Sequence, residues 1–180
     1  SNITNNLMAV WGSGPSDVWA VGSLLLAHFD GSSWILDPWS DWRDEFGNAL
    51  SLDDVWGTGP NDVWAVGNRI LHFDGVEWQD VSPAEPGSWR AVWASGPNDV
   101  WVAGWNTLLH FDGNAWQPLR QEVFDPNNTT LLEAVWGSGS DDVWVAGHLV
   151  LWHYNGSEWT DAPVGCGYPG RRIHGADGHV

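Results

Sequence analysis

The stretch Val10–Gly22, VWGSGPSDVWAVG, decides the fold because the chain says it four times. It returns as VWGTGPNDVWAVG from Val55, VWASGPNDVWVAG from Val92 and VWGSGSDDVWVAG from Val135. Each copy is followed by a short apolar run and a second turn: HFDGSSW from His28, HFDGVEW from His72, HFDGNAW from His110 and HYNGSEW from His153. Successive Val-Trp pairs stand 45, 37 and 43 residues apart. A period of this size marks a protein built by stacking one small supersecondary unit after another.

Each repeat reads as four short strands, in the first copy about Leu7–Trp11, Val18–Val21, Leu24–Phe29 and Trp34–Leu36. β-branched and aromatic residues fill them, Gly and Pro punctuate them, and no segment sustains a helical period. In Gly14-Pro15-Ser16-Asp17, proline pre-sets its φ, and Ser and Asp can bond back to the backbone. Asp30-Gly31, Asp74-Gly75, Asp112-Gly113 and Asn155-Gly156 are hairpin signals. A lone four-stranded sheet cannot bury both faces, whereas a ring of them can. The expectation is therefore an all-β fold, a β-propeller with four complete blades at roughly 7–38, 52–83, 89–120 and 132–163. Residues 171–180 read as the start of a fifth repeat, within one domain over 1–180. That count fits a segment of a larger ring, or a ring completed by another chain, better than a closed four-bladed ring.

Composition narrows the partners. The chain has 180 residues, 23 acidic side chains, six arginines and no lysine, for a formal net charge of −17. Such a surface repels nucleic-acid phosphates and anionic lipid. No apolar run reaches the length of a membrane span. Seventeen tryptophans supply the core in place of many aliphatics. The single Cys166 excludes an internal disulfide framework, and a start at Ser1 is compatible with a leader already removed.

The repeat VWGSGPxDVWAVG…HFDGxxW resembles the Trp-rich propeller repeats of secreted and surface proteins of bacteria such as myxobacteria. Its DGxxW turn is similar to a shortened Asp-box of sialidase-type propellers, with looser similarity to kelch and tectonin blades. The resemblance implies a propeller and, for DGxxW, a place between a blade's third and fourth strands. The hydroxyl residue two positions before Asp in the Asp-box is replaced by His28, His72, His110 and His153.

Strand order assigns the loops. Those joining strands 1–2 and 3–4 share one face, where the repeated GPND and FDG turns need no ligand to explain them. Loops 2–3 and the connectors between repeats share the other face, where the repeats differ, and variable loops on a rigid frame carry function. The candidate ligand-binding residues there are Trp39, Trp42, Arg43, Arg69, Trp105, Asn106, His148 and Tyr168. Exposed Trp beside polar and charged groups suits a sugar platform or a protein hot spot; otherwise these rings pack on neighbouring loops. Trp89 stands in the place of Leu7, Leu52 and Leu132 and reads as core.

Chemistry is sparse. The four repeated histidines read as one structural hydrogen bond made in each blade. His174, Asp177 and His179 lack a fourth ligand, and no calcium loop is recognisable although the acidity suits calcium, so no metal or cofactor site is assigned. No catalytic residue is assigned either. The reading is a non-enzymatic, lectin-like binding or scaffold module, secreted or on the cell surface, that recognises carbohydrate or protein. A propeller glycosidase or lyase and a structural subunit of an extracellular assembly are the alternatives.

Overall fold

A computed structural model describes residues 6–84, 87–119, 131–148 and 150–162. Their strands form four antiparallel sheets, each an up-and-down run of four. The first holds β1 (Leu7–Gly14), β2 (Asp17–Gly22), β3 (Leu25–Phe29) and β4 (Trp34–Leu36). The second holds β5 (Leu52–Gly59), β6 (Asp62–Gly67), β7 (Ile70–Phe73) and β8 (Trp78–Asp80). The third holds β9 (Trp89–Gly96), β10 (Asp99–Gly104), β11 (Thr107–Phe111) and β12 (Trp116–Pro118). The fourth holds β13 (Leu132–Gly139), β14 (Asp142–Gly147), β15 (Val150–Tyr154) and β16 (Trp159–Asp161). The all-β expectation holds; the start of the fifth repeat at 171–180 lies outside the described residues.

Two boundaries differ from the sequence reading. β1 runs on to Gly14 because Gly12 pairs with Val18 and Gly14 with Asp17, across a shift in register. The glycines that looked like turn residues form a bulge, which admits one extra residue and leaves Pro15–Ser16 as the turn. Leu24, read as strand, sits instead in the two-residue turn between paired Gly22 and Leu25, at φ +57°.

One network recurs in every sheet. Asp17 receives the Ser13 hydroxyl on one carboxylate oxygen, and its other oxygen lies 2.6 Å from His28 Nε2. Thr58–Asp62–His72, Ser95–Asp99–His110 and Ser138–Asp142–His153 repeat this, with imidazole contacts of 2.8, 2.6 and 2.7 Å. The Trp of the second strand stacks on that imidazole, with centroids 4.3, 4.0, 4.1 and 4.1 Å apart. The repeated histidine is thus the structural hydrogen bond expected of it. The aspartate was expected to bond to the turn backbone, but its carboxylate instead ties β1 to β3 across β2. A half-buried carboxylate with several donors is worth more there than at a solvated turn.

The chain divides into two compact units, Ser1–Trp89 and Arg90–Val180. In the first, Trp19, Val21 and Leu26 pack against Leu52, Val55, Val63, Ala65 and Leu71 of the second sheet. Trp19 lies 5.0 Å from both Phe73 and Trp78, edge-on to the latter at 87°. The second unit repeats the joint: Trp101 lies 5.8 Å from Tyr154 and 5.5 Å from Trp159. Each joint also has a plug. A Cβ on Gly57 would stand 2.5 Å from the Trp11 ring, and one on Gly137 2.6 Å from the Trp93 ring. Only a residue without a side chain lets the preceding Trp seat so closely.

Candidate functional site

The face carrying loops 1–2 and 3–4 is closed by its own turns. In the 3–4 turn, Asp30 Oδ1 accepts from the Ser32 and Ser33 amides at 2.8 and 2.9 Å, and Gly31 follows at φ +92°. The Ser32 hydroxyl, then these amides, hold the Asp30 carboxyl down at about 2. Asp74, Asp112 and Asn155 make the same two amide contacts in the other sheets. A Cβ on Gly31 would meet Ser16 at 2.6 Å, so the two turns of this sheet abut.

The opposite face is built from what the repeats do not share. In the first unit the connector after β4 folds in two steps. A 3₁₀ helix, Pro38–Asp41, begins with Asp37, whose carboxylate accepts from the Trp39 amide at 2.9 Å. Burial pushes the Asp37 carboxyl up, and the Trp39 amide partly offsets that. Ser40, buried, fastens the helix to β3: its hydroxyl accepts from the Leu26 amide and donates to the Leu26 carbonyl, both at 3.0 Å. A tight loop follows, closed by a bridge between Arg43 and Ala49. Asp44 organises it, accepting from the Phe46 and Asn48 amides at 2.9 and 2.7 Å and from the Asn48 side chain at 2.8 Å. The Asn48 amide group, and more weakly the Arg69 charge, keep the Asp44 carboxyl below its ordinary range.

This folding brings Trp39, Trp42 and Arg69 together. The two rings lie 6.1 Å apart at 29°, and the Arg69 guanidinium stands 4.6 Å over Trp42. Arg69 Nε also faces Asp80 at 3.3 Å. Trp39 and Trp42 are half-buried against the core of this unit, and Trp39 Nε1 donates to the Trp78 carbonyl at 3.2 Å. The indoles therefore do structural work, and Arg69 covers a ring face that a sugar would need. Arg43 is exposed beside them, its guanidinium 2.6 Å from the Trp42 carbonyl. The sequence reading missed Phe46, which is 81% exposed at the loop tip. It was legible as an aromatic outside the repeat, next to Gly47.

In the second unit Trp105 is 55% exposed, and Asn106 follows at φ +50° in the two-residue turn between β10 and β11. Trp105 bridges to Leu131, and the His148 amide donates to the Leu131 carbonyl at 2.9 Å. Leu131 thus ties Trp105 and the exposed His148 to one connector. Tyr168, and with it Cys166, His174, Asp177 and His179, lies outside the described residues. Among the described residues no group of three or more His, Cys, Asp or Glu side chains is placed to hold a metal ion. No helix there is long and apolar enough to cross a membrane.

No protein-family model and no curated relative matches the chain. Solved structures do. YCF48 from Cyanidioschyzon merolae is similar over 95% of this chain and 61% of its own, with a TM-score of 0.64 and 14% identity. The extracellular domain of BT4673 from B. thetaiotaomicron, assigned to a one-component system, matches 91% of this chain and 22% of its own, at 0.67 and 12%. An ancestral GH74 enzyme matches over 90% and 26%, at 0.57 and 16%. The chain spans less than two thirds of each. Identities this low speak for the fold alone, and the four sheets are β-propeller blades.

Proposed function

We propose that the chain is a non-enzymatic binding module acting outside the cell, and that it recognises its ligand through the face carrying loops 2–3 and the connectors. One contrast carries this reading: the turn face is consumed by internal hydrogen bonds, while the connector 37–51 is pre-folded so that Phe46 and Arg43 project from it. Pre-organisation of this kind lowers the entropy lost on binding. Of carbohydrate and protein, the first unit favours protein. Its Trp42 is covered by Arg69, and a lone exposed Phe beside Arg43 and Glu45 suits an interface hot spot better than a sugar platform. Trp105 is the group a sugar would stack on. The extracellular neighbour in B. thetaiotaomicron supports the location by fold alone.

The test is binding of the chain to a glycan array and to a panel of cell-surface proteins. Phe46→Ala should weaken protein binding by roughly tenfold or more, as expected of a hot spot, while melting unchanged. Trp105→Ala should act on any glycan signal. Binding unaffected by both variants would refute this assignment of the face.

A further inference from the structure

The connector 37–51 is held from two sides. The Leu24 amide, in loop 2–3 of the first sheet, donates to the Leu50 carbonyl at 2.9 Å, and Ser23 bridges to Ser51. From loop 2–3 of the second sheet, the Asn68 side chain clamps the same limb. Its Nδ2 donates to the Ala49 carbonyl at 2.8 Å, and its Oδ1 accepts from the Ser51 amide at 3.1 Å. The two limbs of the connector are joined where the Leu50 amide donates to the Trp42 carbonyl at 3.3 Å and the Asp44 amide to the Asn48 carbonyl at 3.0 Å. Leu24, Arg43 and Phe46 thus stand on one hydrogen-bonded platform within the first unit.

Each of the three is out of keeping with a purely structural role. Phe46 leaves 81% of its surface to water. Leu24 holds φ +57°, where a leucine is disfavoured, and is 37% exposed. Backbone strain kept beneath an exposed apolar side chain points to a use for that side chain. Arg43 is exposed, and its guanidinium meets the Trp42 carbonyl but no carboxylate among the described residues. Arg69, the other arginine of this unit, is engaged by Asp80 and by the Trp42 ring. In a chain with 23 acidic side chains, Asp41 and Glu45 on this same connector among them, an arginine left without a carboxylate is available to one from outside.

We infer that this platform selects a protein segment that sets a single Asp or Glu side chain among apolar ones; the inference rests on the reading of this face as the binding face. Arg43 takes the carboxylate with its remaining donors, as a charge-assisted pair. Phe46 and Leu24 take the apolar side chains. A run of acids is the wrong ligand, because the net charge of −17 repels it and Arg43 offsets one carboxylate.

A library of random peptides displayed on phage, selected on the 180-residue chain, tests it. Enriched peptides should carry one Asp or Glu among apolar residues. Arg43→Gln should weaken binding of such a peptide by roughly tenfold or more, and so should replacing its acid by the amide. The two changes together should cost little beyond either alone, since both remove the same contact. Leu24→Asn should weaken binding by roughly threefold or more while the melting point rises, a combination that a structural role for Leu24 does not give. Val76→Ala, on the turn face, should leave binding unchanged. Unchanged affinity in Leu24→Asn overturns the part given to Leu24. Peptides that are lost on Phe46→Ala yet carry no acid, or that bind Arg43→Gln as tightly as the parent, overturn the inference and leave the binding face standing. Enrichment indifferent to Phe46→Ala and Arg43→Gln alike, or no enrichment, overturns both.

Discussion

Asp62 shows how one side chain holds a sheet. Burial pushes its carboxyl up, but hydrogen bonds from His72, Thr58 and Trp64 outweigh that and the net displacement is downward. A carboxyl depressed on folding contributes stability that is whole above its unfolded value and is lost as pH falls through its folded one. Asp62→Asn keeps the shape and removes the charge. It should cost on the order of 2 kcal/mol, read as a melting point several degrees lower. Asp142, held down first by the Ser138 hydroxyl and then by His153, follows the same sign. So does Asp30, whose folded value is about 2. Stability should therefore be level down to about pH 4 and fall steadily below it, because the unfolded carboxyls take up protons near 3.9. Circular-dichroism melts from neutral pH to pH 2 would show this, and a melting point that rose below pH 4 would contradict it. Leu24 makes the opposite point. A leucine at φ +57° bears a steric cost that Asn106 largely avoids in the equivalent turn of the third sheet. Leu24→Asn should raise stability by about 1 kcal/mol, again measured by melting.

The turns and the joints behave differently under substitution, and they differed in legibility for the same reason. Asp30-Gly31 was readable as a hairpin because its chemistry is local: one carboxylate, two amides and one positive φ, within four residues. Gly57 was not readable as a socket, because what it accommodates is Trp11, far away in sequence. Gly12-Ser13-Gly14 looked like turn for a related reason; that it pairs as a bulge depends on β2. The site divided along the same line. That Trp39, Trp42 and Arg69 share a face followed from strand order. That Trp42 lies under Arg69, and Trp39 against Trp78, depends on how the 3₁₀ helix is docked by Ser40, which no pattern announced. Gly57→Ala should cost about 1–3 kcal/mol by overpacking, since its Cβ would also stand 2.8 Å from the Asp62 carbonyl. Gly59→Ala, in the same strand with nothing within 4 Å, should be neutral or slightly stabilising. Equal melting points for the two variants would remove the socket from the account.

Across the chain as a whole, charge remains to be explained. A net −17 without a single lysine resembles a protein working against its own repulsion. Yet many of the acids have assigned places. Asp17, Asp62, Asp99 and Asp142 hold the four sheets, and Asp30, Asp74 and Asp112 hold three of the turns. Asp30, Asp62, Asp74, Asp112 and Asp142 gain from being ionised, and the partners of these groups are short-range donors that salt scarcely screens. The repulsion among them acts over longer distances, and salt shortens its reach from about 30 Å at 0.01 M to about 8 Å at 0.15 M. Raising sodium chloride across that range should therefore raise the melting point, because it weakens the unfavourable term and leaves the favourable one. Differential scanning calorimetry at neutral pH would measure it. If salt lowered the melting point instead, the screened interactions would be net attractive, and the His–Asp and Arg69–Asp80 contacts would have to carry more of the stability than their partial exposure allows.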